Sequence, residues 1–156
     1  MKTNIGIGEK ERTALGSILN TLLADEYVLY TKTRRFHWNV VGPDFSELHK
    51  FFEQQYEALD DIVDEVAERA RALDVTAVGS LQEFAKMARI RELAGANPDA
   101  SGMLAALLAD HEALIRTLRK DVDAADGLGD AGTNDFLTGL LEQHEKMAWM
   151  LRSFLR

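Results

Sequence analysis

The sequence predicts an all-α protein, with four long helices arranged as a bundle and a short extra helix in the crossover between the second and the third. Three observations predict it. Apolar residues recur at steps of three and four along four long stretches, and no stretch alternates apolar with polar residues as a half-buried strand does. The breaks between the long stretches run short, long, short, so two helix pairs are joined by one crossover. With 156 residues and 46% hydrophobic composition the chain can bury a sizeable core and reads as one domain over residues 1–156.

Residues 1–8 read as a short loose tail. A first amphipathic helix follows from about Glu9 to Phe36, with Leu15, Ile18, Leu19, Leu22, Leu23, Leu29 and Tyr30 as its apolar face. Glu9 and Glu11 suit its start, and Lys32, Arg34 and Arg35 suit its end, as the helix dipole prefers. Gly42 and Pro43 break it and open the second helix, predicted to run from Pro43 to Asp74. Phe45, Leu48, Phe52, Tyr56, Leu59, Val63, Val66, Ala70 and Leu73 form its apolar stripe. The pattern lapses in DVTAVGS, and Ser80 caps a short helix within SLQEFAKMARI. Asn97 and Pro98 read as cap and first turn of a third long helix ending near Ala125, with Met103, Leu107, Leu108, Leu114, Leu118 and Val122 inward. DGLGDAG stops it, and Thr133 is the expected cap of a fourth helix through Phe136, Leu140, Leu141, Met147, Leu151 and Phe154. Two helical hairpins joined by one long crossover have the connectivity of a ferritin-like bundle.

Composition narrows the chemistry. The absence of cysteine excludes disulfides, thiolate metal sites and cysteine nucleophiles. No apolar run approaches the roughly 20 residues that span a bilayer, and MKTNIGIGEKER holds no apolar signal region, so a soluble cytoplasmic protein is expected. A net charge of -8 favours cations over polyanions as guests.

The strongest constellation is His37, His49, Glu53, Asp64 and Glu68, a mixture of imidazole and carboxylate that suits iron(II), manganese or zinc without sulfur. On the second helix His49, Glu53, Asp60, Asp64 and Glu68 form a strip beside the apolar stripe. Singly these residues have bland readings, a solvated acidic face and a hydrogen-bonded structural histidine. His49 and Asp64 lie roughly 22 Å apart along one helix, too far to share an ion. Two copies packed antiparallel about a two-fold axis near Glu57 would bring His49 of one chain opposite Asp64 and Glu68 of the other. An intrachain di-iron site would need Glu-x-x-His on two helices, and none exists: Arg34, Ser46, Leu108 and Leu141 stand three before the four histidines. His111 and His144, on or beside apolar faces, read as structural.

The stretch FHWNVVGPDFSELHKFFEQQYEALDDIVDEVAERA resembles the signature of the Dps family of mini-ferritins, and HEKMAWMLRSFL resembles the end of that family's fourth helix. The spacings of 12, 15 and 4 from His37 through His49 and Asp64 to Glu68 match the family's motif. The resemblance implies a hollow dodecamer built from two-fold dimers. In it His37 and His49 of one subunit, with Asp64 and Glu68 of its partner, oxidise iron(II), preferentially with hydrogen peroxide, and ferric mineral is stored inside. It further implies that Glu53 helps a second iron and that Trp38 takes up radical equivalents, the alternative for Trp38 being interface packing. Asp126, Asp130 and Asp135 would line pores through which iron enters, where a solvated or helix-capping role is the competing reading. The family's strong DNA binders often carry basic extensions, whereas here Lys2, Lys10 and Arg12 stand against Glu9 and Glu11, so weak or absent DNA binding is expected. A DNA-compacting structural role is the alternative function.

Overall fold

The computed structural model describes residues 3–156; of the tail expected over 1–8, residues 1 and 2, with Lys2, lie outside the described residues. Five helices follow in order: α1 (Glu9–Asn39), α2 (Phe45–Ala72), α3 (Leu81–Met87), α4 (Ala100–Gly127) and α5 (Ala131–Phe154). No strand occurs among the described residues. Helix α1 packs on α2 and α4 on α5, each pair antiparallel, while α3 lies against α1. The expected bundle with a helical crossover is therefore what forms.

Three helix starts differ from expectation. Helix α2 begins at Phe45, because Gly42 adopts φ 125° and the Phe45 N–H donates to its carbonyl at 3.2 Å, closing a turn through Pro43 and Asp44. Helix α4 is capped by Asp99, whose carboxylate accepts from the Gly102 N–H at 2.8 Å, so Pro98 precedes the cap. Asp130 caps α5 by accepting from the Gly132 N–H at 3.1 Å, and Thr133 falls inside the first turn. Ser80 does cap α3, in a reciprocal box with Glu83.

Helix α3 stops at Met87 because a buried carboxylate takes the chain over. Asp25 of α1 accepts from the backbone N–H groups of Arg89 and Ile90, at 2.5 and 3.1 Å, and from the Arg89 side chain at 2.7 Å. The same guanidinium reaches Asp121 of α4 at 3.3 Å. One Arg–Asp knot thus fastens the crossover to both halves of the bundle. Nor is the chain loose from Thr3 onward, since its hydroxyl donates to Asp74 at 2.7 Å and Ile7 packs against the core.

The core stripe of α2 is Leu48, Phe51, Phe52, Leu59, Ile62, Val66 and Ala70. At about 100° per residue these centre on one line, while Phe45, Val63, Tyr56, His49, Asp60, Glu53 and Asp64 occupy the next arc of the same helix. Phe45, expected in the core, is 46% exposed, and Tyr56 and Val63 are half-buried. Helix α2 accordingly has one face packed within the chain and a flank that the described residues cover only in part.

Candidate metal centre on the flank of the second helix

His37, in the last turn of α1, and His49, in the second turn of α2, come together although twelve residues separate them. Their rings stack at 3.8 Å between centroids with an interplanar angle of 20°. Each Nδ1 donates to the other's backbone carbonyl, at 2.8 Å from His37 and 2.9 Å from His49. The His37 carbonyl is free to accept because α1 ends too soon to offer it an intrahelical partner. A carbonyl can only accept, so each Nδ1 carries a hydrogen, and neither Nε2 has a hydrogen-bond partner among the described residues. Orienting hydrogen bonds of this kind usually stand behind metal-binding histidines.

Around the pair lies an aromatic surround. Phe45 stacks on His49 at 5.1 Å, and Tyr56 meets the His37 ring edge-on at 5.2 Å. The Arg34 guanidinium sits 5.7 Å from the Tyr30 ring centre, 5.2 Å from that of Tyr56 and 5.5 Å from that of Trp38. Burial, then the Glu53 carboxylate, raise the Tyr56 pKa above that of an ordinary tyrosine, so its phenol stays protonated and neutral at pH 7.

The carboxylates stand apart. Glu53 is half-buried on the same flank, whereas Asp64 and Glu68 are exposed, and none of the three makes a hydrogen bond or ion pair among the described residues. Within one chain no three histidine or acidic side chains of the described residues gather around a single ion. The two imidazoles are thus brought together with no anionic partner among the described residues.

Of the three aspartates expected at a pore, Asp126 and Asp135 are exposed with no side-chain partner among the described residues, but Asp130 is 5% exposed and engaged within the chain. It accepts from Arg69 at 2.8 Å and from the Thr133 hydroxyl while capping α5. Burial alone would raise its pKa, yet the hydrogen bonds from Thr133 and Arg69 hold it below the usual carboxylate range. Within one chain the Asp130 carboxylate is thus engaged by Arg69 and Thr133.

Sequence reasoning missed one polar group at the centre of the bundle. Glu26 of α1, fully buried, faces His144 of α5 at 2.9 Å from Nε2, and His144 Nδ1 lies 3.0 Å from His111 Nδ1 on α4. The only sequence signal was a charged pair, Asp25 and Glu26, inside an otherwise apolar run of the first helix. The three groups form a line rather than a cage, which makes them a link between helices α1, α4 and α5.

No helix among the described residues is long and apolar enough to cross a membrane. Residues 17–156 match the model of the ferritin-like domain. The chain is 39% identical to DNA protection during starvation protein 2 of Bacillus anthracis over 138 residues, covering 88% of this chain and 94% of that one. It is 48% identical over 155 residues to an uncharacterized low temperature-induced protein of Nostoc, covering 99% of this chain and 87% of that one. The crystal structure of the Dps protein of Vibrio cholerae O1, described as one of the ferritin-like diiron-carboxylate proteins, superposes with a TM-score of 0.93 at 33% identity, covering 100% of this chain and 98% of that chain. A bundle of this connectivity, a matching ferritin-like model and relatives of this identity lead to one conclusion: the chain belongs to the Dps family of ferritin-like proteins.

Proposed function

We infer that the protein is a ferroxidase and iron store that oxidises iron(II) with hydrogen peroxide at sites shared between two subunits of a dodecamer. The observation that carries this reading is the half-site itself. Two imidazoles are locked through their Nδ1 atoms, with neither Nε2 hydrogen-bonded among the described residues, beside a partly exposed flank of α2. Asp64 and Glu68, one turn apart on the same flank, are the complementary half. An antiparallel copy of α2 would bring the two halves together and supply the negative charge that the imidazoles lack. Glu53 would assist a second ion, and Asp126 and Asp135 would draw cations inward as a ring of carboxylates around a pore.

The chemistry follows from electron counting. Two iron(II) ions give one electron each, peroxide takes both and leaves as water with two added protons, and no hydroxyl radical is released. Carboxylates favour the iron(III) produced, because a harder cation gains more from oxygen ligands. Iron is the substrate in this account. The exposed Trp38, beside His37, would absorb stray oxidising equivalents.

Anaerobic addition of peroxide to protein loaded with iron(II) tests the reading through ferric absorbance. The parent is expected to oxidise iron rapidly and keep the product soluble, while the His37→Ala, His49→Ala double variant loses that activity. Equal slow rates in both would overturn it.

A further inference from the structure

Half-buried Arg34 stands beside the histidine pair with no carboxylate in ion-pair reach among the described residues, and the iron chemistry above gives it no part. Its guanidinium lies against the rings of Tyr30, Tyr56 and Trp38, and its one hydrogen bond among the described residues goes to the Tyr30 phenol oxygen. Its Nε is buried and has no hydrogen-bond partner among them. Arg12, Lys32, Arg69 and Arg152, buried or half-buried as well, each meet an aspartate or a glutamate. Arg35 is held by the Leu93 and Gly95 carbonyls. Taking a cation out of water costs free energy that a counter-charge recovers, and Arg34 has none in its own chain.

The complementary charge lies on α2. Glu53, Glu57, Asp60, Asp61 and Asp64 run along it, and none forms an ion pair among the described residues. Asp60 is exposed and, seven residues after Glu53, falls within about 20° of the same line down the helix. Antiparallel copies of α2 would set two such strips face to face, and like charges opposed across an interface cost affinity. A two-fold axis near Glu57 puts Asp60 of the partner subunit about level with Gln54. Helical side chains lean toward the N-terminus, so the Tyr56 ring, whose centre is 5.2 Å from the Arg34 guanidinium, comes to the same height. From the unpaired Arg34 guanidinium and the unpaired Asp60 carboxylate on this flank we propose that Arg34 of each subunit pairs with Asp60 of the partner subunit and fixes the register in which two copies of α2 meet. This rests on the shared site of the ferroxidase reading.

Register decides whether the two halves of the site join. A slip of one helical turn moves the partner's carboxylates about 5.4 Å along α2, farther than a metal–ligand bond of roughly 2 Å can follow. The two-fold axis repeats the Arg–Asp pair, and a slip in either direction parts both copies of it. Arginine suits the place better than lysine. Its planar guanidinium stays against the Tyr56 ring while N–H groups at its edge point to a carboxylate, which the point charge of a lysine does not do. Already held by three rings and the Tyr30 hydroxyl, it loses little side-chain freedom when a partner arrives.

The test uses full-length, iron-free Arg34→Glu and Asp60→Arg chains, each checked for helix content by circular dichroism, with association read by native mass spectrometry and sedimentation. Alone, each variant sets like charges together twice at the two-fold contact, and its self-association should weaken by at least about tenfold. Mixed, an Arg34→Glu chain and an Asp60→Arg chain restore an opposite-charge pair at both places. Two-chain units from an equal mixture should then be mixed ones well above the proportion of about one half that random pairing gives. A random proportion, or single variants that associate as the parent does, overturns the pairing. If Arg34→Glu does not fold, Arg34→Gln and Asp60→Asn serve instead: their combined loss of association should be no greater than either alone, and simple addition overturns the pairing. Random pairing in a protein whose parent oxidises iron sinks the Arg34 contact and leaves the ferroxidase reading standing. Selective pairing in a protein whose parent does not oxidise iron does the reverse.

Discussion

Glu26, His144 and His111 show what a single buried proton can decide. Burial first, and the neighbouring His144 second, push the His111 pKa well below 6.5. A histidine held neutral by the fold binds fewer protons than in the unfolded chain. Stability is therefore full above the unfolded value of about 6.5 and falls as pH drops through it toward the lower folded pKa, by up to about 1.4 kcal/mol per pH unit for one proton. Urea unfolding between pH 8 and pH 5 checks this, and the slope should flatten in His111→Leu. In His144→Leu the Glu26 carboxylate loses its partner inside the core, a loss of about 3–5 kcal/mol by denaturant unfolding. Asp130 and Asp135, five positions apart, separate in the same way. Asp130→Ala removes a cap and a partly buried ion pair and should destabilise by about 1–3 kcal/mol. Asp135→Ala should leave unfolding within about 0.5 kcal/mol of the parent and slow iron uptake instead.

At the scale of elements, periodicity carried most of the fold, because amphipathic stripes survive in any packing that buries them. What periodicity could not separate was an apolar residue facing its own core from one facing a second chain. Phe45, Tyr56 and Val63 followed the same steps of three and four as Leu48 and Leu59, yet belong to the uncovered flank. His37 and His49 were singled out through the resemblance, and the fold does stack their rings. Their mutual carbonyl bonds were not legible, since those depend on where α1 ends and how Gly42 turns the chain. The end of α3 was equally hidden, because Asp25 acts across sixty-four residues of sequence. Removing that carboxylate in Asp25→Ala should raise hydrogen exchange across residues 81–97 well before the long helices open, a local loosening that exchange mass spectrometry would map. No such selective effect would mean that the crossover is held by its apolar contacts alone.

At the scale of the whole molecule, net charge and the proposed shared site bear on what the protein does. A chain of net charge -8 repels a polyanion more strongly with every copy added to an assembly, leaving only local patches to attract DNA. A gel shift at about 150 mM salt, where exposed charges are screened within about 8 Å, should show no tight complex. In the proposed arrangement neither subunit holds a working site alone. It is tested most directly by co-assembling His49→Ala chains with Asp64→Ala chains and measuring iron(II) oxidation by peroxide, with mixed assembly confirmed by native mass spectrometry. Each variant by itself should be inactive. If the two halves come from different chains across a two-fold axis, random mixing rebuilds about a quarter of the sites, and activity returns in that proportion. Mixed assemblies no more active than either variant alone would contradict the shared site.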